Sequence, residues 1–184
     1  MPNPRLVALL LLLCAQPLAA QNRTPPSSPE DRRWAEWSNQ IQQLQSAAKS
    51  SYSAEMTRTK TRVCGRAFST YEMEACMERE LEKTKANYQA YVGALRSSEA
   101  LASPEEQPRT DPLPGRPLPP DERAKKFDAV ESAWQAYAKA QCATAYDISR
   151  EGTSATVTQL ECDVRLLRDR MSELESVYQF VRGQ

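Results

Sequence analysis

The sequence predicts an all-α protein, a small antiparallel bundle of three to four helices stapled by two disulfides. Apolar residues recur in alternating steps of three and four along several segments, which is the period of an amphipathic helix. Glycine is scarce, with 5 residues in 184, and this favours helices over sheets. Four cysteines follow the first 20 residues. An even number of cysteines in an exported chain is typical of disulfides.

The first 20 residues have the pattern of a secretory signal peptide. Arg5 precedes an apolar run over 6–14, and two small residues end the segment at Ala20. The run is shorter than the roughly 20 residues that a membrane-spanning helix needs. We therefore expect cleavage near Ala20 and a periplasmic or secreted protein. The alternative is a lipoprotein acylated at Cys14, and it is disfavoured because Leu13 stands where such signals carry a small residue.

An amphipathic helix is predicted over 28–60, after a disordered tail at 21–27. Ser28 offers an N-cap, and the proline and two acids after it suit the first turn of a helix. Trp34 and Trp37 begin the apolar stripe of this helix. We expect them to dock on the bundle, because an exposed pair of tryptophans is a liability unless a partner covers it.

Three further helices are predicted within 64–182. The first begins at Ser69, where Ser-Thr-Tyr-Glu matches a capping box. The second carries Trp134 and ends near Tyr146. The third follows a break around Gly152 and has the most regular apolar stripe of the chain.

A proline-rich stretch at 97–120 separates the first two of these helices and has no apolar period. We interpret it as an exposed linker that is long enough for its flanking helices to lie antiparallel. The alternative is a polyproline ligand for an aromatic-lined groove.

The composition argues against catalysis, metal binding and nucleic-acid binding. The chain has no histidine and no serine or cysteine in a nucleophile motif, so no catalytic residue is predicted. The cysteine spacings are too long for a zinc site or a C-x-x-C redox pair, so no metal or cofactor is expected. With 24 basic and 24 acidic residues, no net field attracts nucleic acid. After the signal segment, no stretch is apolar enough to cross a membrane.

The cysteines and their surroundings resemble the lysozyme inhibitor LprI N-terminal domain family. The first half of the resemblance is Cys-x(11)-Cys between Cys64 and Cys76, with a glutamate between them and a leucine and tyrosine further along. The second half is carried by Trp134, Tyr137, Cys142, Gly152, Cys162, Arg170 and Leu174. The family usually has Arg-Asp after the tyrosine, but Ala138 and Lys139 stand here, so no role of that arginine is carried over.

The resemblance implies a small exported helical domain without an active site, in a family of which one branch inhibits lysozyme. We therefore expect a non-enzymatic binding protein whose partner is a protein of the lysozyme type. The alternative is a structural or cell-wall-associated envelope protein without inhibitory activity. Five residues form the candidate face for a cationic partner: Glu72, Glu74, Glu78, Trp34 and Trp37.

The sequence leaves three disulfide pairings open, because an up-and-down bundle brings all four cysteines to one end. We favour the local pairing, Cys64 with Cys76 and Cys142 with Cys162, because the two halves are built alike.

Two expectations concern burial. Trp134 and Tyr137 lie on an apolar stripe with Phe127 and Val130, so we expect them in the core. Charged residues are expected to be solvated or paired across helix turns. These are Arg170, Glu72, Glu74, Glu78, Glu80 and Glu82.

Overall fold

The computed structural model describes residues 28–60, 64–65, 67, 69–106 and 118–182. These residues form four helices and no strand: α1 Pro29–Thr59, α2 Thr70–Ala100, α3 Pro120–Ile148 and α4 Ala155–Arg182. The predicted all-α class is confirmed. The predicted signal peptide, the tail at 21–27 and much of the linker lie outside the described residues. The first four residues of the predicted linker belong to α2, which continues to Ala100.

Capping boxes begin both α1 and α2. The hydroxyls of Ser28 and Ser69 accept hydrogen bonds from the amides of Asp31 and Glu72, whose carboxylates accept from the backbone N–H groups of the two serines. Each box satisfies amides that the start of a helix otherwise leaves free. The predicted N-cap at Ser28 and capping box at Ser69 are confirmed.

The helices run alternately up and down. Helices α2, α3 and α4 pack against one another, whereas α1 packs along α2 and touches α4 over a short stretch. The starts of α2 and α4 therefore lie beside the ends of α1 and α3. We call this the disulfide end, and the opposite end of the bundle the linker end.

The main core lies at the centre of the bundle. Tyr91, Leu95 and Met171 are almost fully buried there, and Ala48 brings α1 onto the same cluster. A large apolar side chain contributes roughly 1.5–3 kcal/mol on full burial. This core fixes the relative positions of the four helices, and these helices carry the buried charged residues.

Both disulfides lie at the disulfide end and follow the predicted local pairing. Cys64 bonds to Cys76 and Cys142 to Cys162, with Cα–Cα distances of 5.8 and 5.5 Å. In the chain-entropy model, loops of this size each contribute about 3 kcal/mol. The Cys142–Cys162 bond is buried, whereas Cys64 and Cys76 are partly exposed.

Two expectations about burial were wrong, and a third was met only in part, because Arg170 pairs with Glu173 across a helix turn but is not solvated. Tyr137 is 57% exposed, whereas Arg170 and Glu80 are only 7% and 4% exposed. Helix α3 turns Glu131 rather than Val130 towards its neighbours, so its buried face is displaced from the stripe that carries Tyr137. Arg170 and Glu80 are buried because charged residues on other helices pair with them.

Candidate functional site

The five residues predicted as one binding face lie at opposite ends of the bundle. Glu72, Glu74 and Glu78 occupy the first turns of α2, at the disulfide end. Trp34 and Trp37 lie near the start of α1, at the linker end. The α1 residues opposite the start of α2 are more than 20 positions beyond Trp34, which is about 35 Å at 1.5 Å per residue. The structure therefore does not bring these residues together.

The two tryptophans pack against each other. Their rings meet edge to face with centroids 5.6 Å apart, and both side chains are half-buried. The indole nitrogen of Trp37 is buried and forms no hydrogen bond with the described residues. An unsatisfied donor of this kind costs about 1–3 kcal/mol.

The first turns of α2 are acidic. Glu72 and Glu78 are exposed and Glu74 is half-exposed. No basic residue occurs within 70–78, so the only charged side chains of these turns are negative. Their field favours a cationic partner.

A groove opens beside these acids at the disulfide end. It has a volume of about 240 Å³ and is lined by Ala67, Ser69, Thr70, Met73, Ser154 and Val157. Two large apolar residues are highly exposed at the same end, Tyr71 at 81% and Ile148 at 82%. The disulfide end thus combines a groove, exposed apolar side chains and the acidic first turns of α2.

The disulfides anchor the segments on both sides of this groove. Cys64, in the segment before α2, is bonded to Cys76 on the second turn of that helix. Cys142 near the end of α3 is bonded to Cys162 on α4, so the 149–154 loop is closed by a covalent link. Covalent closure reduces the conformational entropy that a binding surface loses when it engages a partner.

A buried carboxylate joins α1 to the other helices. Glu55, fully buried, accepts hydrogen bonds from Thr84 Oγ1 at 2.9 Å, Asn87 Nδ2 at 2.8 Å and Arg168 Nε at 2.7 Å. Burial raises the pKa of Glu55, but the bonds from Asn87, Arg168 and Thr84 outweigh it, so the pKa lies below the ordinary 4.5. Glu55 is therefore a charged group in the interior at neutral pH.

A second carboxylate completes this group. Glu80 is paired with Arg168 and with Arg58, and Arg58 Nε also lies 3.4 Å from Glu55 Oε2. Two carboxylates and two guanidiniums therefore balance each other where α1, α2 and α4 meet. We call Glu55, Arg58, Glu80 and Arg168 the α1 cluster.

A separate ionic group lies within the α2–α4 bundle. Arg170 donates through Nε to Glu131 Oε1 at 3.0 Å and through a second nitrogen to the same oxygen, and it also bonds Glu173 Oε2 at 2.8 Å. The Tyr88 hydroxyl donates to Glu131. The Arg170 guanidinium lies 5.8 Å from the centre of the Trp134 ring, within range of a cation–π contact. We call these five residues the bundle cluster.

Two pKa values in the bundle cluster move upward. Burial alone would lower the pKa of Arg170, but its bonds to Glu131 and Glu173 raise it. Burial raises the pKa of Tyr88, and the adjacent Glu131 carboxylate raises it further. Both groups are therefore locked in their ordinary protonation states at neutral pH.

The residues singled out by the resemblance fall in different environments. Trp134 and Arg170 meet in the bundle cluster, and Leu174 is buried in the main core. Tyr137 is exposed on α3. Gly152 lies in the exposed loop before α4, where an added Cβ would make only ordinary contacts. Three of the five therefore act in packing.

Neither a metal site nor a membrane span is found in the parts of the chain that the structure describes. No group of three or more Asp, Glu, His or Cys residues among them is arranged to hold a metal ion. None of the described helices has the length and apolar character needed to cross a membrane.

Comparison with known proteins identifies the family. The family model described as Lysozyme inhibitor LprI matches residues 61–174. No curated protein and no solved structure matches the chain. The matched region contains α2, α3, most of α4 and both disulfides, and leaves α1 outside. The chain belongs to the lysozyme inhibitor LprI family.

Proposed function

We propose that this protein is an exported inhibitor of lysozyme-type cell-wall hydrolases, and that its disulfide end blocks the cleft of the enzyme. Membership of the LprI family is the observation that carries the inhibitory function. Export is supported by the two disulfides, because such bonds persist in oxidising compartments. The signal-peptide pattern of the first 20 residues agrees with it.

The shape and rigidity of the disulfide end support its choice as the inhibitory surface. An inhibitor that enters a cleft needs a projecting element that loses little conformational freedom on binding. The ends of α1 and α3 and the starts of α2 and α4 lie there. One disulfide ties Cys64 to α2, and the other ties α3 to α4. Tyr71 and Ile148 offer exposed apolar surface for desolvated contacts.

The charge of the first turns of α2 agrees with a cationic enzyme as the partner. Glu74 and Glu78 lie on the acidic first turns of α2 and are available for contact, whereas Glu72 is engaged in the capping box. Complementary charge raises the association rate and is screened by salt. Inhibition should therefore be strongest at low ionic strength.

The test is a turbidity assay of cell-wall lysis by c-type and g-type lysozymes over a range of salt, with the oxidised protein lacking only the predicted signal segment. We expect inhibition at near-stoichiometric protein. Charge reversal with Glu74→Lys and Glu78→Lys should weaken it about tenfold or more at low salt. Reversal of Glu36 and Glu105, which are exposed at the linker end, is the matched control.

Two results would contradict the proposal. A folded, disulfide-bonded sample that inhibits neither enzyme would remove the inhibitory function and favour a structural or wall-associated role. If both pairs of charge reversals weaken inhibition equally, the protein is an inhibitor, but the disulfide end is not its inhibitory surface.

A further inference from the structure

A second groove lies between α3 and α4, towards the linker end. Its volume is about 400 Å³, and it exposes mainly apolar surface from Leu118, Phe127, Val130, Leu174, Val177 and Tyr178. Small-molecule sites typically measure about 300–1,000 Å³. The groove is therefore large enough for a small ligand, and it is separate from the disulfide end.

Two aliphatic residues of this groove face solvent. Val130 is 56% exposed on α3, and Val177 is 54% exposed on α4. Helix α1 does not cover them, because it packs along α2 and reaches only a short stretch of α4. Exposed apolar surface gathered on two neighbouring helices is typical of a binding site.

Three of the four charged residues that line the groove are already paired. Arg123 forms ion pairs with Glu106 and Glu99, and Arg170 pairs with Glu131. Glu99, the only acid of the lining, is thus neutralised by Arg123, and it also accepts a hydrogen bond from a tyrosine of α4. These charges are engaged within the fold.

The fourth is Lys126, which forms no ion pair with a described residue. Its side chain is exposed, and no carboxylate of the described residues lies within ion-pair distance. Lys126 precedes Phe127, which lies in the groove wall. The groove therefore combines an apolar slot between two helices with one available cation at its edge.

We propose that this α3–α4 groove binds a single-chain anionic amphiphile, of the chemical class of a fatty acid, with its tail along the slot and its head group at Lys126. An apolar chain matches a slot between two antiparallel helices, and the exposed ammonium of Lys126 selects a negative head group over a positive one. Each methylene that becomes buried strengthens binding roughly fourfold. Affinity should therefore increase with chain length until the slot is filled.

The test is calorimetric titration of the oxidised protein with fatty acids of eight to fourteen carbons, below their micelle-forming concentrations. We expect saturable binding of one laurate per chain. Dodecyltrimethylammonium has a chain of the same length and a positive head group, and it should bind at least tenfold more weakly.

Variants of exposed residues locate the site without disturbing the core. Val177→Asp should weaken laurate binding about tenfold or more. Lys126→Glu should weaken the binding of laurate but strengthen the binding of the cationic amphiphile. Lys125→Glu is the matched control for charge, because Lys125 is 77% exposed on the same helix and does not line the groove. Ile148→Asp is the control for an apolar residue at the other end of the bundle.

Three outcomes of the binding experiments would overturn the proposal. They are the absence of saturable binding, equal binding of the two head groups, and equal effects of the groove variants and their controls. A dimer in light scattering that Val130→Asp dissociates would instead assign the groove to a second copy of the chain, and would also overturn it. None of these readouts depends on inhibition of lysozyme.

Discussion

Helix α1 and the α2–α4 bundle are both held by buried arginine–glutamate pairs, but these pairs differ in hydration. In the α1 cluster the side chains of Arg58 and Arg168 remain 24% and 21% exposed. In the bundle cluster the side chains of Arg170 and Glu131 are only 7% and 6% exposed. The glutamates are buried in both clusters, with the side chains of Glu55 and Glu80 at 0% and 4% exposure. A guanidinium left without its partner is tolerated better where water can reach it, so the loss of a glutamate should cost less stability in the α1 cluster than in the bundle cluster.

This difference coincides with the limits of the family match. The bundle cluster lies entirely within 61–174, whereas the α1 cluster joins a helix outside that range to two helices within it. We infer that the family's bundle is the more cooperative part of the fold and that α1 opens first. The predictions below test this order.

The largest effect is expected for Arg170→Met. The substitution keeps an apolar stem but leaves the Glu131 carboxylate buried without its cation, which should lower the free energy of unfolding by about 3–5 kcal/mol. Urea denaturation measures it. Arg165→Met is the matched control, because Arg165 is 60% exposed on the same helix, and its effect should stay within about 1 kcal/mol. Equal losses of unfolding free energy in the two variants would show that the bundle cluster stabilises the fold no more than an exposed ion pair does.

A smaller and local effect is expected for Glu55→Gln. The amide keeps the shape of the side chain but weakens three hydrogen bonds, at a cost of about 1–3 kcal/mol. Hydrogen exchange should become faster along α1 and remain unchanged in α2–α4. Glu36→Gln, at an exposed position of α1, should leave hydrogen exchange unchanged both in α1 and in α2–α4. Faster exchange throughout the protein would mean that α1 and the bundle open as one unit.

Acidification should release α1 before it affects the bundle. The folded pKa of Glu55 is lowered below the ordinary 4.5, so its stabilising contribution is complete above that value and is lost as the pH falls through the folded pKa. Hydrogen exchange followed below pH 4.5 should show α1 losing protection first. The Glu55→Gln protein should lack this step, and an unchanged step in that variant would assign it to another group.

The smallest effect is expected for Asp163→Asn on α4. Burial raises the pKa of Asp163 and Lys85 opposes the rise only partly, so the ionised form destabilises the fold. The penalty is absent at low pH and appears as the pH rises through the folded pKa. The substitution should therefore stabilise the protein at neutral pH, by less than about 1 kcal/mol because the group is partly solvated. Thermal unfolding measures it, with the exposed Asp169→Asn as control. A lower melting temperature would contradict the assignment.

Helix ends and the covalent frame were predictable because their determinants are local. The hydroxyls of Ser28 and Ser69 cap helices through residues only three positions away. The disulfide pairing was favoured because the two halves of the sequence are built alike. None of these features depends on how the side chains of distant segments meet.

The buried face of α3 was not predictable from its apolar pattern. The stripe through Val130 and Tyr137 has the correct period, but both residues are more than half exposed. Glu131 occupies the interior instead, because Arg170 and Tyr88 from two other helices satisfy its carboxylate. Phe127 and Trp134 of the same stripe do pack against the main core. A charged residue is assigned to the surface whenever its partners are unknown, so the sequence reading missed Glu131.

The sequence by itself determined the all-α class, the helix starts, the disulfide frame and the resemblance to the LprI family. Each depends on spacing along the chain or on the chemistry of single residue types. Only the tertiary structure decided which charges are buried, which aromatic residues are exposed, and that the predicted acids and tryptophans lie at opposite ends. These properties are set by contacts between residues as far apart as Glu55 and Arg168, and a linear pattern carries no information on such pairs.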